Sequence, residues 1–583
     1  MIWKLKPKAP EEFIRQFPEY SPLVLQLLWD RGLKTQAAID EFFNPDYEQD
    51  LHDPFLMLGM KEAVERINKA IERQEKIIIF GDYDADGVCG TVILKTILEA
   101  LGANFGGVEI PDRKNEGYGL NFEVVKKIAA EGAKLIITVD CGITDIEEIL
   151  LASSLGLEVI VVDHHEVGKN LPKPGIIIDS LQKGDKYPFK ELAGAGVAFK
   201  LTQALIQDLR AKNKKLGIND GWEKWLLDLV ALATVADCMP LIGENRTLVR
   251  YGLIVLAQTQ RVGLQELMKI ARLNPTFEIE GLKTNLDTYS LGFVLAPRLN
   301  VAGRIDHANL AYQLLIAKDR QEAQIMAQKI NDYNRLRQKT TDEIVAEIEQ
   351  RIKQYPKDKN YSVIVEADKN WSPGLIGLVA GKIADRYHRP TFIFNQKGNF
   401  SRGSARSIKN FNLVEAIGEC ADLLIEFGGH PSAAGLELEN KNLELFRQRI
   451  NEVALAKLSQ EDFLPSLEID GELEPDQINW ELFDNLVRFE PFGQGNSQPL
   501  FLVKNLEIVN VRFVGSNLQH LKLELKSDKM KGKIFKAIGF RLADGNGKLK
   551  AGDKVDIVFE LIVDEWNGNR DLQMRIIDLK QRQ

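Results

Sequence analysis

Cysteine is scarce in this sequence, and so are the patterns that cysteine chemistry requires. Among 583 residues there are four cysteines, Cys89, Cys141, Cys238 and Cys420, with neither paired spacing nor a CxxC motif. This usage offers no disulfide framework and suits a reducing compartment. Three of them lie near acidic motifs, and we interpret these three as small buried hydrophobic side chains rather than metal ligands.

Long apolar segments are also missing. No uninterrupted apolar run approaches the ~20 residues needed to span a bilayer. The first residues, MIWKLKPKAPEEF, contain no continuous apolar stretch and no small-residue cleavage site, so they do not resemble a signal peptide. We therefore expect a soluble, cytoplasmic protein that has no membrane partner.

Two further absences concern enzymes that act on nucleic acids. No GxxxxGKS/T motif follows any predicted strand, which disfavours an ATP-driven helicase. The net charge is −9, so the overall charge does not indicate nucleic-acid binding. An acidic enzyme can still bind nucleic acid through a local basic channel, and the sign of the net charge therefore decides little.

The composition that is present is that of an ordinary soluble protein with several domains. Hydrophobic residues make up 44% of the chain and charged residues 27%. At about 150 residues per domain, the length of 583 residues suggests about four units.

Short, continuous apolar runs begin at Lys76 and predict buried parallel strands. The three runs are KIIIF (76–80), KLIITV (134–139) and LEVIVV (157–162). Helical patterns separate them at about 88–101, 121–131 and 145–155, and another extends through about 193–237. Strands that alternate with helices predict a doubly wound parallel sheet.

Residues 319–354 contain no Gly or Pro and are heavily charged. At ~1.5 Å per residue, one helix of this length would be roughly 54 Å long and could bridge two domains. Two ordinary helices with an unseen junction are the alternative, and we favour the bridge. A second mixed α/β unit follows, with strands at 361–366 and 391–395 and a helix that we expect Ser372 to cap, with Pro373 in its first turn.

Beyond residue 465 the pattern changes to strands with Gly-rich or polar turns, which predicts a small OB-like β-barrel. The five strands are predicted at about 500–514, 518–526, 533–541, 554–563 and 571–578. We thus expect an α/β, multidomain chain with these parts: an N-terminal helical segment (1–50), a first α/β domain (51–315), a connecting helix (316–357), a second α/β domain (358–462) and an OB-like domain (463–583).

Each of the three buried strands is followed directly by acidic residues. GDYDADG spans 81–87, Asp140 follows the second strand, and Asp163, His164 and His165 follow the third. Ligand sites in open parallel sheets lie beyond the carboxyl ends of the strands, so these groups should converge. Crowded carboxylates repel one another unless they take up protons or bind cations, and the imidazoles favour a metal such as Mn²⁺. Asp237, at the end of a helical stretch, could complete the set.

The DYDADG motif also matches the start of an EF-hand loop, but that interpretation fails. An EF-hand requires a helix before the loop and a Glu at its twelfth position. Counted from Asp82, the twelfth position is Ile93, and a strand precedes the motif.

The order of several motifs resembles the DHH phosphoesterase superfamily and, within it, the RecJ exonucleases. The superfamily pattern consists of DYDADG, Asp140, the DHH triplet at 163–165 and ADCMPL at 236–241. The narrower resemblance rests on IPDRKNEGYGL (110–120), LAGAGVAFKL (192–201), APRLNVAGR (296–304), GSARSI (403–408), FGGHPSAAG (427–435) and PFGQGN (491–496). A lone DHH would be weak evidence, whereas this ordered series is specific and extends from about residue 76 to the C-terminus.

The resemblance implies a role for each group of motif residues. It implies that two divalent ions, Mn²⁺ or Mg²⁺, are held by Asp82, Asp84, Asp140, His164 and Asp237, with Asp140 between them. His165 would face the substrate phosphate and, with Asp140, would be catalytic. The positions implied to bind the nucleic-acid backbone or its terminal phosphate are Arg113, Arg298, Asn300, Arg304, Ser404, Arg406 and His430. We expect Asp86 to orient a ligand or the loop rather than to coordinate metal directly.

Two positions depart from the family pattern. The Trp371-Ser372-Pro373-Gly374 segment lacks the His that many relatives carry after the Trp, so we assign no histidine role there. Asp179-Ser180 replaces the usual Asn-Pro. Neither change affects the implied metal ligands.

The predicted barrel contains aromatic residues that alternate with basic ones. The aromatic positions are Phe513, His520, Phe535, Phe540 and Trp566, and the basic ones are Lys522, Lys533, Lys536 and Arg541. Aromatic faces that stack on bases and lysines that contact phosphates are the combination single-strand binders use, but we expect most of these rings to belong to the barrel core. We assign no binding residue there.

The resemblance implies a single-stranded-DNA-specific exonuclease of DNA recombination and repair. The enzyme would hydrolyse phosphodiester bonds from the 5′ end and release 5′-mononucleotides, and a helicase and a single-strand-binding protein are its candidate protein partners. One alternative is a DHH-type phosphodiesterase of short oligonucleotides or cyclic dinucleotides, which would need neither the barrel nor the bridging helix. Another is a non-catalytic replication scaffold, which could have lost the acidic residues that this chain retains.

Overall fold

The computed structural model describes residues 1–113, 116–213, 217–279, 281, 283–355, 361–543, 545–566 and 569–582. The chain divides into two compact units. One comprises Met1–Asp46, Pro240–Ile242 and Leu464–Gln583, and the other comprises Tyr47–Met239 and Gly243–Phe463. No helix in the described part of the chain is both long enough and apolar enough to cross a membrane.

The N-terminal segment contains one strand and three helices. These are β1 (Ile2–Leu5), α1 (Glu11–Gln16), α2 (Pro22–Asp30) and α3 (Gln36–Phe43). Ser21 and Thr35 cap α2 and α3, because their hydroxyl groups accept hydrogen bonds from the backbone N–H of Val24 and Ala38.

The first α/β region forms a five-stranded parallel sheet in the order β3-β2-β4-β5-β6. Its elements are α4 (Met60–Glu72), β2 (Ile77–Gly81), α5 (Ala85–Ala100), β3 (Phe105–Glu109), α6 (Phe122–Ala130), β4 (Leu135–Val139), α7 (Ile146–Ser154), β5 (Glu158–Val162), β6 (Ile176–Ile178) and α8 (Gly194–Ala211). The sheet is the doubly wound parallel sheet that the sequence predicted. Its strand order reverses between β2 and β4, where ligand sites of such sheets lie.

Helices cover the sheet because its central strands are buried along their whole length. Val125 of α6 and Ile149 of α7 share a core with Ile78 and Ile136 of the strands. At Gly90 of α5, a Cβ atom would lie 2.6 Å from Cγ1 of Val139, so only glycine allows this helix to approach the end of β4 so closely.

A helical region follows, with a short hairpin in its middle. It contains α9 (Leu227–Ala236), α10 (Gly243–Ala257), α11 (Val262–Ile270), β7 (Phe277–Glu278), β8 (Lys283–Thr284), a π-helical turn (Ser290–Leu295), α12 (Ala296–Ile305) and α13 (Asn309–Ile316).

The predicted bridge is one helix, α14 (Arg320–Lys353), and the alternative of two helices is wrong. Asp319 caps it by accepting hydrogen bonds from the backbone N–H groups of Gln321 and Glu322. The helix has 34 residues and would therefore be about 51 Å long. It packs on α11, α12 and α13 at one end and on a helix of the second α/β region at the other.

The second α/β region contains a mixed five-stranded sheet in the order β12-β13-β11-β10-β9. Its elements are β9 (Ile364–Asp368), α15 (Ile376–Tyr387), β10 (Thr391–Lys397), β11 (Phe400–Arg406), α16 (Leu413–Gly418), β12 (Leu424–His430), β13 (Ala433–Glu439) and α17 (Leu443–Lys457). The predicted cap of the first helix is wrong, because α15 begins only at Ile376 and Pro373 precedes it. The backbone carbonyl of Ser372, not its hydroxyl, accepts the N–H groups of Leu375 and Ile376.

The C-terminal strands form the predicted OB-like barrel. The elements are β14 (Ser466–Ile469), β15 (Gly471–Glu472), α18 (Trp480–Val487), β16 (Phe501–Val514), β17 (His520–Ser527), β18 (Met530–Gly539), β19 (Lys554–Trp566) and β20 (Asn569–Gln581). The order is β15-β16-β17-β18-β20-β19, and pairing of β16 with β19 closes the barrel. Phe535 is buried in the barrel core, Phe540 is exposed, and the side chain of Trp566 lies outside the described residues.

The N-terminal segment and the barrel belong to one unit with a shared core. Phe489 makes edge-on ring contacts with Phe42 and Phe43, and β1 pairs in parallel with β14. The limits of the five predicted domains stay predictions.

Candidate active site

The acidic residues that follow adjacent parallel strands lie together at the carboxyl edge of the first sheet. Nε2 of His164 lies 3.1 Å from Oδ1 of Asp140 and 3.6 Å from Oδ2 of Asp237. Asp82, Asp84 and Asp140 form a second group whose potential ligand atoms lie within 4.8 Å of one another. The structure therefore brings all five predicted metal ligands into one cluster, which we call the acidic cluster: Asp82, Asp84, Asp140, His164 and Asp237.

Local backbone geometry holds two of these carboxylates in place. Asp84 caps α5, and its Oδ1 accepts hydrogen bonds from the N–H groups of Asp86 at 2.8 Å and Gly87 at 3.2 Å. Asp140 has a φ of 61°, in the left-handed region that Asp tolerates better than most residues. A Cβ at Gly194 would lie 2.8 Å from the Cβ of Asp140, so the start of α8 requires glycine here.

Asp86 joins two helices behind the acidic cluster. Its two carboxylate oxygens accept hydrogen bonds of 2.7 Å from the N–H groups of Gly194 and Ala195, at the N-terminus of α8. A carboxylate at a helix N-terminus is stabilised by the helix dipole. Oδ2 of Asp86 is 3.7 Å from Nε2 of His164, so its negative charge also faces the cluster.

The acidic cluster contains buried polar atoms that a cation would satisfy. Oδ1 of Asp82, Oδ1 of Asp140 and Nε2 of His164 are buried and have no hydrogen-bond partner among the described residues. Burial is the main cause that raises the pKa of Asp82 and of Asp140 well above the usual value of an aspartate, and the charges of neighbouring carboxylates are the second cause. Such a site is unfavourable without positive charge, so these residues fit divalent metal ions.

His164 has the properties of a neutral nitrogen ligand. Burial, and then the charge of His165, lowers the pKa of His164 to about 4. A hydrogen bond with the backbone of Leu192 fixes the ring. Metal-binding imidazoles are commonly oriented by a partner of this kind.

The neighbouring His165 has a different environment. Its Nδ1 lies 2.7 Å from Oδ1 of the buried Asp163, which also accepts the backbone N–H groups of His164 and His165. Burial opposes protonation, but the hydrogen bond and the charge of Asp163 raise the pKa of His165 to about 9. His165 is thus suited to carry a proton, whereas His164 is suited to bind metal.

Tyr118 belongs to this site, and the sequence analysis did not identify it. Its hydroxyl group donates a hydrogen bond of 2.9 Å to the carbonyl of Asp140 and lies 3.1 Å from Nδ1 of His165. Asp145 supports the loop of Tyr118, because its Oδ2 accepts the N–H of Leu120 at 2.6 Å. The only sequence signal for Tyr118 was its place in the IPDRKNEGYGL motif. That motif indicated the family, but it assigned no role to the tyrosine.

Three predicted substrate-binding arginines form a second cluster, of positive charge. Burial, followed by the charges of Arg113 and Arg337, lowers the pKa of Arg304 to about 10. Burial and the charge of Arg113 also lower the pKa of Arg406. The charge of Arg113 acts on both Arg304 and Arg406, and that of Arg337 acts on Arg304, so we define the arginine cluster as Arg113, Arg304, Arg337 and Arg406.

Hydrogen bonds and one ring contact hold three of the guanidinium groups of the arginine cluster in place. Nη1 of Arg304 donates to the carbonyl of Gly374 at 3.2 Å, which joins the first α/β region to the second. Nη1 of Arg406 donates to the carbonyl of Ala405 at 2.8 Å and to the Oγ of Ser404 at 3.3 Å. Arg113 lies over the ring of Tyr83, 4.8 Å from its centroid, in the loop between Asp82 and Asp84.

The other predicted substrate-binding residues have separate positions. Asn300 accepts the N–H of Ala85 at 2.7 Å through Oδ1, and it therefore supports the acidic loop. Arg298 donates to the carbonyl of Val294 and to Oδ1 of Asn331. His430 lies exposed at the end of β12, where it pairs with Ala433, and neither cluster defined above includes it.

Arg337 on α14 is a second residue that the sequence analysis missed. Its Nε atom is buried without a hydrogen-bond partner in the described ranges. Burial, and then the charge of Arg298, lowers its pKa. In the sequence it is one of many charges on a long helix, and nothing distinguished it from a solvated surface residue.

Family models match three segments of the chain. The DHH family N-terminal domain matches residues 76–234, the DHHA1 domain matches 360–456, and the RecJ OB domain matches 469–578. A single-stranded-DNA-specific exonuclease RecJ of Bacillus subtilis is 40% identical over 583 residues, which cover 99% of this chain and 70% of that protein. The protein of the same name from Salmonella typhimurium is 32% identical, with 99% of both chains covered. The chain belongs to the RecJ family.

Solved structures of the RecJ family agree with this assignment. The crystal structure of RecJ from Thermus thermophilus in complex with Mn²⁺ has a TM-score of 0.81 and 30% identity, and the match covers 100% of this chain and 80% of that one. The complex with Mg²⁺ has a TM-score of 0.76 and 27% identity, with 100% of this chain and 79% of that one covered. The family resemblance and the fold class inferred from the sequence are thereby confirmed.

The two departures from the RecJ pattern have local structural roles. The carbonyl of Ser372, the residue after Trp371, accepts the N–H groups of Leu375 at 2.9 Å and Ile376 at 3.2 Å. Oδ1 of Asp179 accepts the N–H of Leu181 at 2.8 Å, which forms a turn after β6.

Proposed function

We propose that this RecJ-family enzyme removes 5′-mononucleotides from the 5′ end of single-stranded DNA. The enzyme is a metal-dependent exonuclease that uses Mn²⁺ or Mg²⁺. The observation that carries the proposal is the presence of two oppositely charged clusters in one unit: buried acidic oxygens without hydrogen-bond partners among the described residues, and arginines whose charges interact with Asp82 and Asp84. Metal ions satisfy the first kind of group, and phosphate oxygens satisfy the second.

We assign two divalent ions to the acidic cluster, with Asp140 between them. Asp140 is suited to this place because it belongs both to the group with Asp82 and Asp84 and to the group with His164 and His165. When bound, the ions would lower the pKa of a water molecule and stabilise negative charge on the phosphate. The chain's own contribution is to hold the metal ligands on rigid strand and helix ends, so that the ligands need little reorganisation when the ions bind.

His165 acts on the substrate phosphate rather than on a metal. Asp163 holds Nδ1 of His165 and keeps the ring protonated, so that Nε2 is left to donate a hydrogen bond to a phosphate oxygen. The hydroxyl of Tyr118 lies 3.1 Å from the same Nδ1 atom. Proton donors of this kind stabilise the charge that develops in the transition state.

The arginine cluster selects the chain end. A terminal phosphate carries more negative charge than an internal diester, so fixed guanidinium groups beside the metals favour an end over the interior of the strand. Ser404 and Arg406 of β11 form the part of this pocket that the second α/β region supplies, and Arg304 holds the two regions together through Gly374.

The second candidate is hydrolysis of short oligonucleotides or cyclic dinucleotides, and two features disfavour it. A small substrate needs neither a 34-residue bridging helix that carries an arginine with a buried Nε atom nor an OB-like barrel. A non-catalytic scaffold is disfavoured because all five acidic-cluster residues are present and close together.

A direct assay uses linear single strands labelled at either end, a blunt duplex and a circular single strand, each with Mn²⁺ or Mg²⁺. We expect mononucleotides to appear first from the 5′ label, the duplex to resist, and the circle to remain intact. Release of the 3′ label first would contradict the polarity, and prompt cleavage of the circle would contradict an exonuclease. Slow cleavage of linear strands together with rapid cleavage of a dinucleotide would favour the second candidate.

Arg406→Ala is expected to slow cleavage of a 5′-phosphorylated strand at least about tenfold, since a charge-assisted hydrogen bond contributes about 1.5–3 kcal/mol. A strand with a 5′-hydroxyl end should be slowed less, because it lacks the charge that Arg406 recognises. Single-turnover rates on the two strands measure the difference.

Arg449→Ala is the matched control, because Arg449 lies in the same region and pairs with Asp422 on the surface. It should change neither rate. Equal slowing of both strands by Arg406→Ala would exclude Arg406 from end recognition.

A helicase or a single-strand-binding protein that supplies the strand, a role in recombination and repair, and a cytoplasmic location complete the proposal. The two protein partners would supply the unwound DNA that a single-strand exonuclease needs.

A further inference from the structure

Two aromatic rings at the π-helical turn before α12 are exposed and stacked on each other. The rings of Tyr289 and Phe293 have centroids 5.1 Å apart and an interplanar angle of 20°. Tyr289 is 62% exposed and Phe293 is 71% exposed. Large aromatic side chains contribute most to stability when they are buried, so two neighbouring exposed rings contribute little to the fold.

The backbone that carries the rings is fixed. Oδ1 of Asp287 accepts hydrogen bonds from both the N–H and the hydroxyl of Ser290, at 2.8 and 2.7 Å. The rings lie at the start and in the middle of a helical segment that contains the π-helical turn Ser290–Leu295. Such turns are rare and occur frequently at functional sites.

The π-helical turn touches the helix that carries a predicted metal ligand. A Cβ at Gly292 would lie 3.2 Å from Cγ1 of Val235, so the turn packs closely on the end of α9. Asp237 directly follows Ala236, the last residue of α9. The segment that carries the exposed rings is thus packed against the helix that ends next to Asp237.

The turn is also tied to a predicted phosphate-binding residue. Nη1 of Arg298 donates a hydrogen bond of 2.6 Å to the carbonyl of Val294, the residue after Phe293. A cationic group and a stacked aromatic pair therefore share one rigid segment. Single-strand binders combine these two elements, because aromatic faces stack on bases while cations follow the phosphates.

We propose that Tyr289 and Phe293 form a stacking platform for nucleobases of the single-stranded DNA substrate. The proposal rests on the proposed function and names a further substrate-binding site for it. Stacking is tolerant of sequence because every base has a π face, which suits an exonuclease that must pass all four bases. The bases of a duplex interior are already stacked and paired, so the platform also contributes to the preference for a single strand.

The double variant Tyr289→Ala/Phe293→Ala tests the platform. We expect KM for a single strand of about twenty nucleotides to rise about fivefold or more, because each stacked base contributes a factor of this size. The kcat should stay within about twofold, because the rings do not touch the reacting atoms. Tyr289→Phe/Phe293→Tyr keeps both π faces and should retain the original KM.

An abasic substrate distinguishes stacking from an indirect effect. The same strand with abasic sites in place of its bases beyond the 5′ nucleotide should raise KM for the original enzyme. The same substitution should raise KM much less for the Ala double variant, because the variant has no ring on which a base could stack. Phe122→Ala is the matched control, since Phe122 is 46% exposed on α6, and it should change KM for neither strand.

Three outcomes overturn the platform. An unchanged KM in the double variant, or an equal response of variant and original enzyme to abasic sites, would exclude base stacking by these rings. If the original enzyme formed a dimer, the double variant did not, and KM was unchanged, the rings would be assigned to contact with a second copy of the chain. Failure of the original enzyme to degrade single-stranded DNA would instead overturn the proposed function, so the two failures are distinguishable.

Discussion

Asp140→Asn is expected to reduce hydrolysis of single-stranded DNA by at least about a thousandfold. Metal ions contribute several kcal/mol to transition-state stabilisation, and each 1.4 kcal/mol corresponds to about tenfold in rate. Asp140 belongs both to the group with Asp82 and Asp84 and to the group with His164 and His165, so its neutralisation should weaken both proposed metal positions. Binding of DNA should change little, because the arginine cluster and the barrel do not depend on this carboxylate.

Asparagine is the appropriate replacement at this position. Asp140 has a φ of 61°, and Asn adopts this left-handed conformation readily, whereas Ala would add backbone strain. The backbone carbonyl that accepts from Tyr118 is kept in either variant. Loss of activity in Asp140→Asn therefore reports the loss of charge and not a distorted loop.

The measurements are single-turnover rates in metal-controlled buffer, the number of Mn²⁺ ions bound per chain and the affinity for single-stranded DNA. Asp228→Asn is the control, because Asp228 is also buried but is hydrogen-bonded to Thr259 outside the acidic cluster. It should keep both metal ions. Substantial activity of Asp140→Asn, or full Mn²⁺ binding, would remove Asp140 from between the two ions.

The acidic cluster was predictable from sequence because it depends on one simple rule. Parallel strands end at the same edge, and the chain supplies acidic residues directly after β2, β4 and β5. Continuous runs such as KLIITV are unambiguous because buried strands require them. The long helix was predictable for a similar reason, since 34 residues without Gly or Pro contain no signal for its end.

Contacts between segments distant in sequence were not predictable. Phe42 and Phe43 contact Phe489 across more than four hundred residues, and a short N-terminal sequence gives no sign of this partner. Strands β11, β12 and β13 were missed because GSARSI and FGGHPSAAG are rich in small residues and were interpreted as anion-binding motifs. Arg337 was missed because its burial depends on the residues that surround α14, which periodicity does not reveal.

His165→Ala is expected to reduce kcat about a hundredfold or more, the usual effect of losing a positioned proton donor. The structure places Nδ1 of His165 against the buried carboxylate of Asp163, which raises the pKa of His165 to about 9. The hydrogen bond to Asp163 therefore favours the protonated ring that would donate to the phosphate. Binding of Mn²⁺ should be nearly unchanged, because His165 is assigned to the substrate.

His164→Ala provides the sharpest comparison, since it removes the same side chain one residue away. Nε2 of His164 faces Asp140 and Asp237, and burial lowers the pKa of His164 to about 4, so this ring is suited to metal and not to proton donation. We expect His164→Ala to weaken Mn²⁺ binding by at least about tenfold and to recover part of its activity at high Mn²⁺. His165→Ala should not recover at any Mn²⁺ concentration. The separate assignments would be overturned if both variants recovered activity at high Mn²⁺. They would also be overturned if neither variant recovered activity and both lost Mn²⁺ binding to the same extent, because the two histidines would then share one role.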